Sequence, residues 1–129
     1  MILLRFFTLC SFLGLSISCS SSASYESNPA IALINKEALT KVIAENTTIQ
    51  LVDVRRPSEY ADGFIEPAIN INYFDSDFAT QFGQFDKETP LYLYCKSGGR
   101  SNKAAHLLAE EGFTKIYDLE GGYLQWQKQ

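Results

Sequence analysis

The 129-residue chain has only three cysteines, one histidine, one methionine and one tryptophan, and most of these scarcities close a class of function. An odd cysteine count cannot be fully paired, so a disulfide framework is excluded and each thiol needs its own explanation. The single histidine, His106, is one imidazole where a metal site usually gathers several ligands; mid-helix, it reads as a surface or interface residue. Positive charge is also short: eleven Lys and Arg face fifteen Asp and Glu, for a net charge of −4. No cationic surplus is available to release counterions from a polyphosphate, which excludes nucleic acid as the expected partner and makes any basic patch a local one. The one markedly apolar run, residues 6–18, would span about 20 Å as a helix at ~1.5 Å per residue, against roughly 30 Å of hydrocarbon, so a permanent membrane span is not expected. What remains is 46% apolar and 13% aromatic, too hydrophobic for disorder and long enough for one core but hardly two.

Residues 1–18 carry one cation, Arg5, then an apolar run and no acid, the layout of a secretory signal. Ser16, Ile17, Ser18 and Cys19 resemble a bacterial lipobox, departing from it at Ser16, where Leu is usual. The expectation is that Cys19 is lipidated, that residues 19–30 form a flexible tether, and that Cys10 leaves with the signal. This puts the domain at residues 31–129, in the bacterial envelope on the periplasmic side, held to the membrane only through its lipid, with the outer membrane favoured and soluble secretion as the alternative.

From residue 31 onward the chain alternates strand and helix. Strands are expected at residues 31–34, 50–54, 68–72, 90–94 and 115–119. Asn35 offers an N-cap to a helix bearing Leu39, Val42 and Ile43, and Pro57 opens a short helical turn. Phe78, Phe82 and Phe85 form the stripe of an amphipathic helix, whose role is core packing. Residues 101–111 are the clearest helix, stopped by Gly112. Gly121, Gly122 and Trp126 lead a last helix, the glycines serving a tight turn and the Trp the core. Five short strands interleaved with helices imply an α/β fold, a central, mostly parallel five-stranded sheet with helices on both faces. Ligands of such sheets gather at the carboxyl ends of the strands, which is where Cys95 falls.

The segment Cys95, Lys96, Ser97, Gly98, Gly99, Arg100, Ser101 runs from a buried strand into the start of the strongest helix. Two glycines let the backbone curl so that successive amides point inward, an anion-binding nest closed by the positive end of the helix. A cysteine at its floor is favoured as thiolate, because helix N-termini and adjacent cations lower thiol pKa values from about 8.5 into a range of roughly 3.5 to 7.5. The larger service of the loop is to hold a charged sulfur species or an anionic substrate with several preorganised donors. An Arg against a positive helix end is unfavourable unless an anion meets it, so Arg100 is expected to face one. Lys103 adds to the local field. A tyrosine-phosphatase-type loop places five residues between Cys and Arg to cradle phosphate. Here there are four, and no acid for a leaving group is apparent, which argues against that rival.

Over residues 31–129 the chain resembles the rhodanese family. The loop from Cys95 to Arg100 matches its active loop. Asp53, Val54, Arg55, Glu59, Tyr60, Gly63, Ile65, Ala68, Asn70 and Ile71 match the upstream signature, and Leu119, Gly121, Gly122 and Trp126 the terminal one. The departures are Phe64, where His is usual, and Glu66 with Pro67 before Ala68. The resemblance implies a thiosulfate sulfurtransferase without metal or other cofactor: the Cys95 thiolate takes a sulfane sulfur from a small sulfur-containing anion such as thiosulfate, holds it as a persulfide and passes it to a thiophilic acceptor, cyanide or a thiol. Lys96, Arg100 and the amides from Ser97 through Gly98 and Gly99 to Ser101 would receive the anion. Asp53 and Glu59 read as scaffold, Asp53 tying loop amides and Glu59 pairing with Arg55, while Arg55 also stands where it can face the pocket. A monomer is the expected form. The alternative class is a binding or sensing module that carries sulfane sulfur, or docks a partner, without turnover.

Overall fold

The computed structural model describes residues 27–129; the expectations for residues 1–18, Cys10, Cys19 and most of the tether lie outside the described residues. The elements follow in the order β1 (Ile31–Ile34), α1 (Lys36–Glu45), β2 (Gln50–Asp53), α2 (Pro57–Ala61), β3 (Ile69–Asn70), α3 (Phe78–Gln81) with a 3-10 turn (Phe82–Gln84), β4 (Leu91–Tyr94), α4 (Gly99–Glu110), β5 (Ile116–Leu119) and α5 (Gly122–Trp126). The five strands form one sheet in the order β1-β5-β4-β2-β3, and every pairing is parallel. The fold is therefore the expected α/β sheet. β4 lies at its centre, and the chain leaves β4 at Cys95.

Alternation along the strands divides the core into two layers. Val52, Leu91, Leu93 and Ile116 pack on one face against Ala104, Ala105 and Leu108 of α4 and against Phe78 and Phe82. Leu51, Tyr94 and Leu119 pack on the other, against Leu39 of α1, Ile65 and Trp126. Both faces are covered, as a parallel sheet requires.

Local chemistry sets the element ends. The Asn35 side chain accepts from the Ala38 amide at 2.8 Å and caps α1. α4 closes with the Gly112 amide on Ala109 O and the Phe113 amide on Leu108 O, both at 3.1 Å, which brings the Phe113 ring into the core. Three expectations shift. The third strand shrinks to Ile69–Asn70. The aromatic helix is one α-turn followed by a 3-10 turn, because Gly83 interrupts it and the Phe78 and Phe82 rings pack edge to face at 5.0 Å rather than along a regular stripe. The contacts of the domain also begin before Ile31: the Ile31 amide donates to Asn28 O, and Ala30 O accepts from Ile116.

Candidate active site

Cys95 is 1% exposed at the end of the central strand, and the next three residues turn its chain into α4. Gly98 carries the turn with φ +109°, a conformation strained for any residue with a Cβ. That turn aims the Gly98 amide back at the thiol, N to Sγ 3.0 Å. The hydroxyl of Ser101, fully buried, lies 3.4 Å from Sγ and 3.2 Å from Gly98 O. The following amides, Gly99, Arg100 and Ser101, open a twelve-residue helix and have no helical carbonyl to meet. Sulfur and donors thus share one small concavity, as the loop sequence implies. The two glycines are not equivalent, however. Gly99 has an ordinary φ, and a Cβ there would touch nothing, so the curl belongs to Gly98 alone. Lys96 and Ser97 are exposed at the rim.

A second element holds the loop from behind. The first amides of α5 cap it: Tyr123 N–H donates to Cys95 O at 2.8 Å and Leu124 N–H to Lys96 O at 3.0 Å. Gly122 makes this approach possible, since a Cβ on it would sit 2.5 Å from Cys95 O and 2.7 Å from Lys96 C and O. Its φ of +60° serves the tight turn read from the sequence; the close approach to the reactive loop is what the sequence did not reveal. Gly122→Ala is expected to push the Cys95 carbonyl away, lowering the rate at which Cys95 reacts at least about tenfold and stability by about 1–3 kcal/mol. Stopped-flow alkylation together with denaturant unfolding measures both.

The charged residues pair differently from expectation. Arg55 does not reach Glu59. It is 4% exposed and lies on Asp53, with Nε at 2.9 Å and Nη2 at 2.6 Å from Oδ2, and it also donates to Gly63 O at 2.7 Å. Its guanidinium stacks over the Tyr123 ring at 4.1 Å and so supports α5. Burial works against its charge, and the Asp53 carboxylate more than offsets this, raising the pKa further. Asp53 does tie a loop amide, that of Arg55, at 2.9 Å.

Glu59 is instead claimed by Arg100 in a two-pronged pair, Nη1 to Oε2 2.7 Å and Nη2 to Oε1 3.0 Å, and by the Arg56 amide at 3.0 Å. The anion that Arg100 was expected to meet is therefore Glu59, and the guanidinium bridges α4 to α2 while still sensing the Cys95 sulfur. The hydrogen bond from Arg100, partly opposed by burial, holds the Glu59 carboxyl at about 2. A carboxyl lowered on folding stabilises fully above its unfolded value near 4.5, and that stability is lost as pH falls towards 2. Glu59→Gln is expected to be less stable at neutral pH and to lack this acid limb, which urea midpoints between pH 5 and pH 2 would follow.

One buried carboxyl went unnoticed. Asp118, on β5, is 2% exposed, and its Oδ1 has no hydrogen-bond partner. Burial pushes the carboxyl up to about 6, with Ser101 opposing the shift. The available signal was an Asp within an otherwise apolar Ile-Tyr-Asp-Leu strand. Phe64, in the position where His was expected, stacks on Tyr60 at 4.2 Å. Among the described residues no group of three or more His, Cys, Asp or Glu could hold a metal ion, and no helix is long and apolar enough to cross a membrane.

The geometry can be set beside known proteins. A family model described as the rhodanese-like domain matches residues 35–129. The thiosulfate sulfurtransferase GlpE of Shewanella oneidensis is 35% identical over 86 residues, which cover 67% of this chain and 83% of the relative. A sulfurtransferase of Allochromatium vinosum is 30% identical over 95 residues, covering 74% and 87%. Among solved structures, a rhodanese-like domain protein from Staphylococcus aureus superposes with a TM-score of 0.66 at 29% identity, over 75% of this chain and 92% of the other.

Proposed function

The chain belongs to the rhodanese-like domain family, and from that membership and the donors gathered on Cys95 we propose that it is a sulfurtransferase acting through a Cys95 persulfide. The observation that carries this reading is the Gly98 amide aimed at Sγ from 3.0 Å, beside the unpaired first amides of α4. In the first step the thiolate forms a bond to the outer sulfur of a donor such as thiosulfate. The bond between that sulfur and the sulfonate breaks, and sulfite departs with the electron pair, so no proton has to be supplied. In the second, a nucleophilic acceptor, cyanide or a thiol, attacks the outer sulfur of the persulfide, and the electron pair returns to Sγ as thiolate. Charge moves between inner and outer sulfur in both steps, and fixed backbone donors stabilise it with little reorganisation. With Arg100 bound to Glu59, Lys96 is the loop cation left to meet an anionic donor at the rim.

The names of the two sulfurtransferase relatives support the same reaction class, and that of the Shewanella relative supports thiosulfate as donor. The signal-like residues 1–18 and the lipobox-like stretch ending at Cys19 support work in the bacterial envelope on a lipid anchor; the mass of the mature amino terminus tests this. For the reaction, purified protein is treated with thiosulfate, weighed intact, then treated with cyanide. The expected result is a gain of one sulfur atom on Cys95 and thiocyanate formed over many cycles. A single stoichiometric release would make the protein a sulfur carrier instead, and no mass gain would remove the persulfide altogether.

A further inference from the structure

Sulfur transfer as described leaves Asp118 without a task, yet its position is costly. A buried oxygen without a hydrogen-bond partner is destabilising, and Asp118 Oδ1 is such an atom. In the parallel register Asp118 stands between Leu33 of β1 and Leu93 of β4, and alternation puts it on the same sheet face as Ile116, the face that α4 covers. The Ser101 hydroxyl, buried on the first turn of α4, is the polar group whose interaction opposes the rise of this carboxyl. That hydroxyl also faces Cys95 Sγ at 3.4 Å and Gly98 O at 3.2 Å. A hydroxyl has one proton to give. Sulfur and carbonyl therefore already share one proton, and a carboxylate beside the hydroxyl is a third claimant.

From this juxtaposition we propose that Asp118 is a positioning residue for Cys95, acting through Ser101. As the acid it donates to Ser101 Oγ and leaves the hydroxyl proton to the sulfur; as carboxylate it draws that proton away. Only O–H protons change hands, with solvent taking or returning the one on Asp118. The other charge in range of the sulfur is Arg100, which is paired with Glu59 and left unchanged by the substitutions tested. β1 and β4 present Ile31, Leu33, Leu91 and Leu93 on this face. The titratable groups of α4 near its start are Arg100, clamped by Glu59, the exposed Lys103, and His106 further along. Cys95 is the acid that shares the hydroxyl, so ionisation of either disfavours ionisation of the other. Burial of Asp118 brings its own titration to about pH 6, within reach of neutral conditions. The inference deepens the persulfide reading, because a free thiolate needs the hydroxyl at Sγ, whereas a persulfide has moved its charge one sulfur outward.

The test follows alkylation of Cys95 by iodoacetamide against pH, which needs no sulfur donor and so stands or falls separately from sulfur transfer. Asp118→Asn keeps a donor towards Ser101 but cannot ionise. Its half-maximal alkylation is expected about one pH unit below that of the wild type, equivalent to a tenfold change in the thiol equilibrium. In the Ser101→Ala background the same substitution should shift the midpoint by less than about a third of that. Coincident wild-type and Asp118→Asn profiles would overturn the proposal, as would a full shift without Ser101. Should Asp118→Asn fail to fold, carbon-detected NMR of the Asp118 carboxyl replaces it. Its titration curve is expected to change in Cys95→Ser, and superimposable curves would refute the coupling.

Discussion

Cys95→Ser is expected to abolish persulfide formation and thiocyanate release, by at least about a thousandfold, while the domain stays folded. The size of the loss follows from removing the nucleophile itself: a serine hydroxyl is almost wholly protonated at neutral pH and does not exchange sulfane sulfur, and loss of a nucleophile typically costs more than any single supporting contact. The survival of the fold follows from the surroundings. Buried hydroxyls cost about 1–3 kcal/mol when unpartnered, but at this position the Gly98 amide and the Ser101 hydroxyl already point at the atom replaced. Intact mass after thiosulfate, with near-ultraviolet circular dichroism as the fold check, measures both parts. Residual sulfur uptake in the variant would move the chemistry away from Cys95.

Which features were legible in the sequence depends on how locally they are encoded. The Asn35 cap, the Gly112 stop, Pro57 opening α2 and the Cys-to-helix loop are each written within a few residues, and the structure has them where the spacing puts them. The pairing of Arg55 was misjudged for a local reason too. Arg55 and Glu59 are four apart, which suits a helix, but α2 begins only at Pro57, so Arg55 lies in the connection after β2 and folds back on Asp53, two residues away. The Arg100 to Glu59 pair could not be read at all. It depends on β4 lying beside β2, which brings the start of α4 over α2 across 41 residues of chain. Asp118 was hidden for the same reason: a strand carboxyl becomes noteworthy only once the helix above it is known to present Ser101.

Arg55→Ala is expected to cost about 3–5 kcal/mol, because it leaves the Asp53 carboxylate, fully buried, without its counter-ion. The same substitution removes the partner of Gly63 O and the cation stacked on Tyr123. Against a total stability of roughly 5–15 kcal/mol this is enough to unfold a marginal domain at 37 °C. Arg55→Lys should recover little of it, since an ammonium cannot meet both carboxylate oxygens and cover an aromatic face together. Asp53→Asn with Arg55→Ala, which removes both charges, should be less damaging than Arg55→Ala alone if the uncompensated carboxylate is the main cost. Urea midpoints at constant slope measure the three variants. The effect should also reach the sulfur: Arg55 supports the Tyr123 ring, Tyr123 donates its amide to Cys95 O, and that carbonyl fixes the turn in which Gly98 addresses the thiol. In any Arg55 variant that still folds, Cys95 alkylation should therefore slow through this relay, whereas an unchanged rate would confine Arg55 to stability.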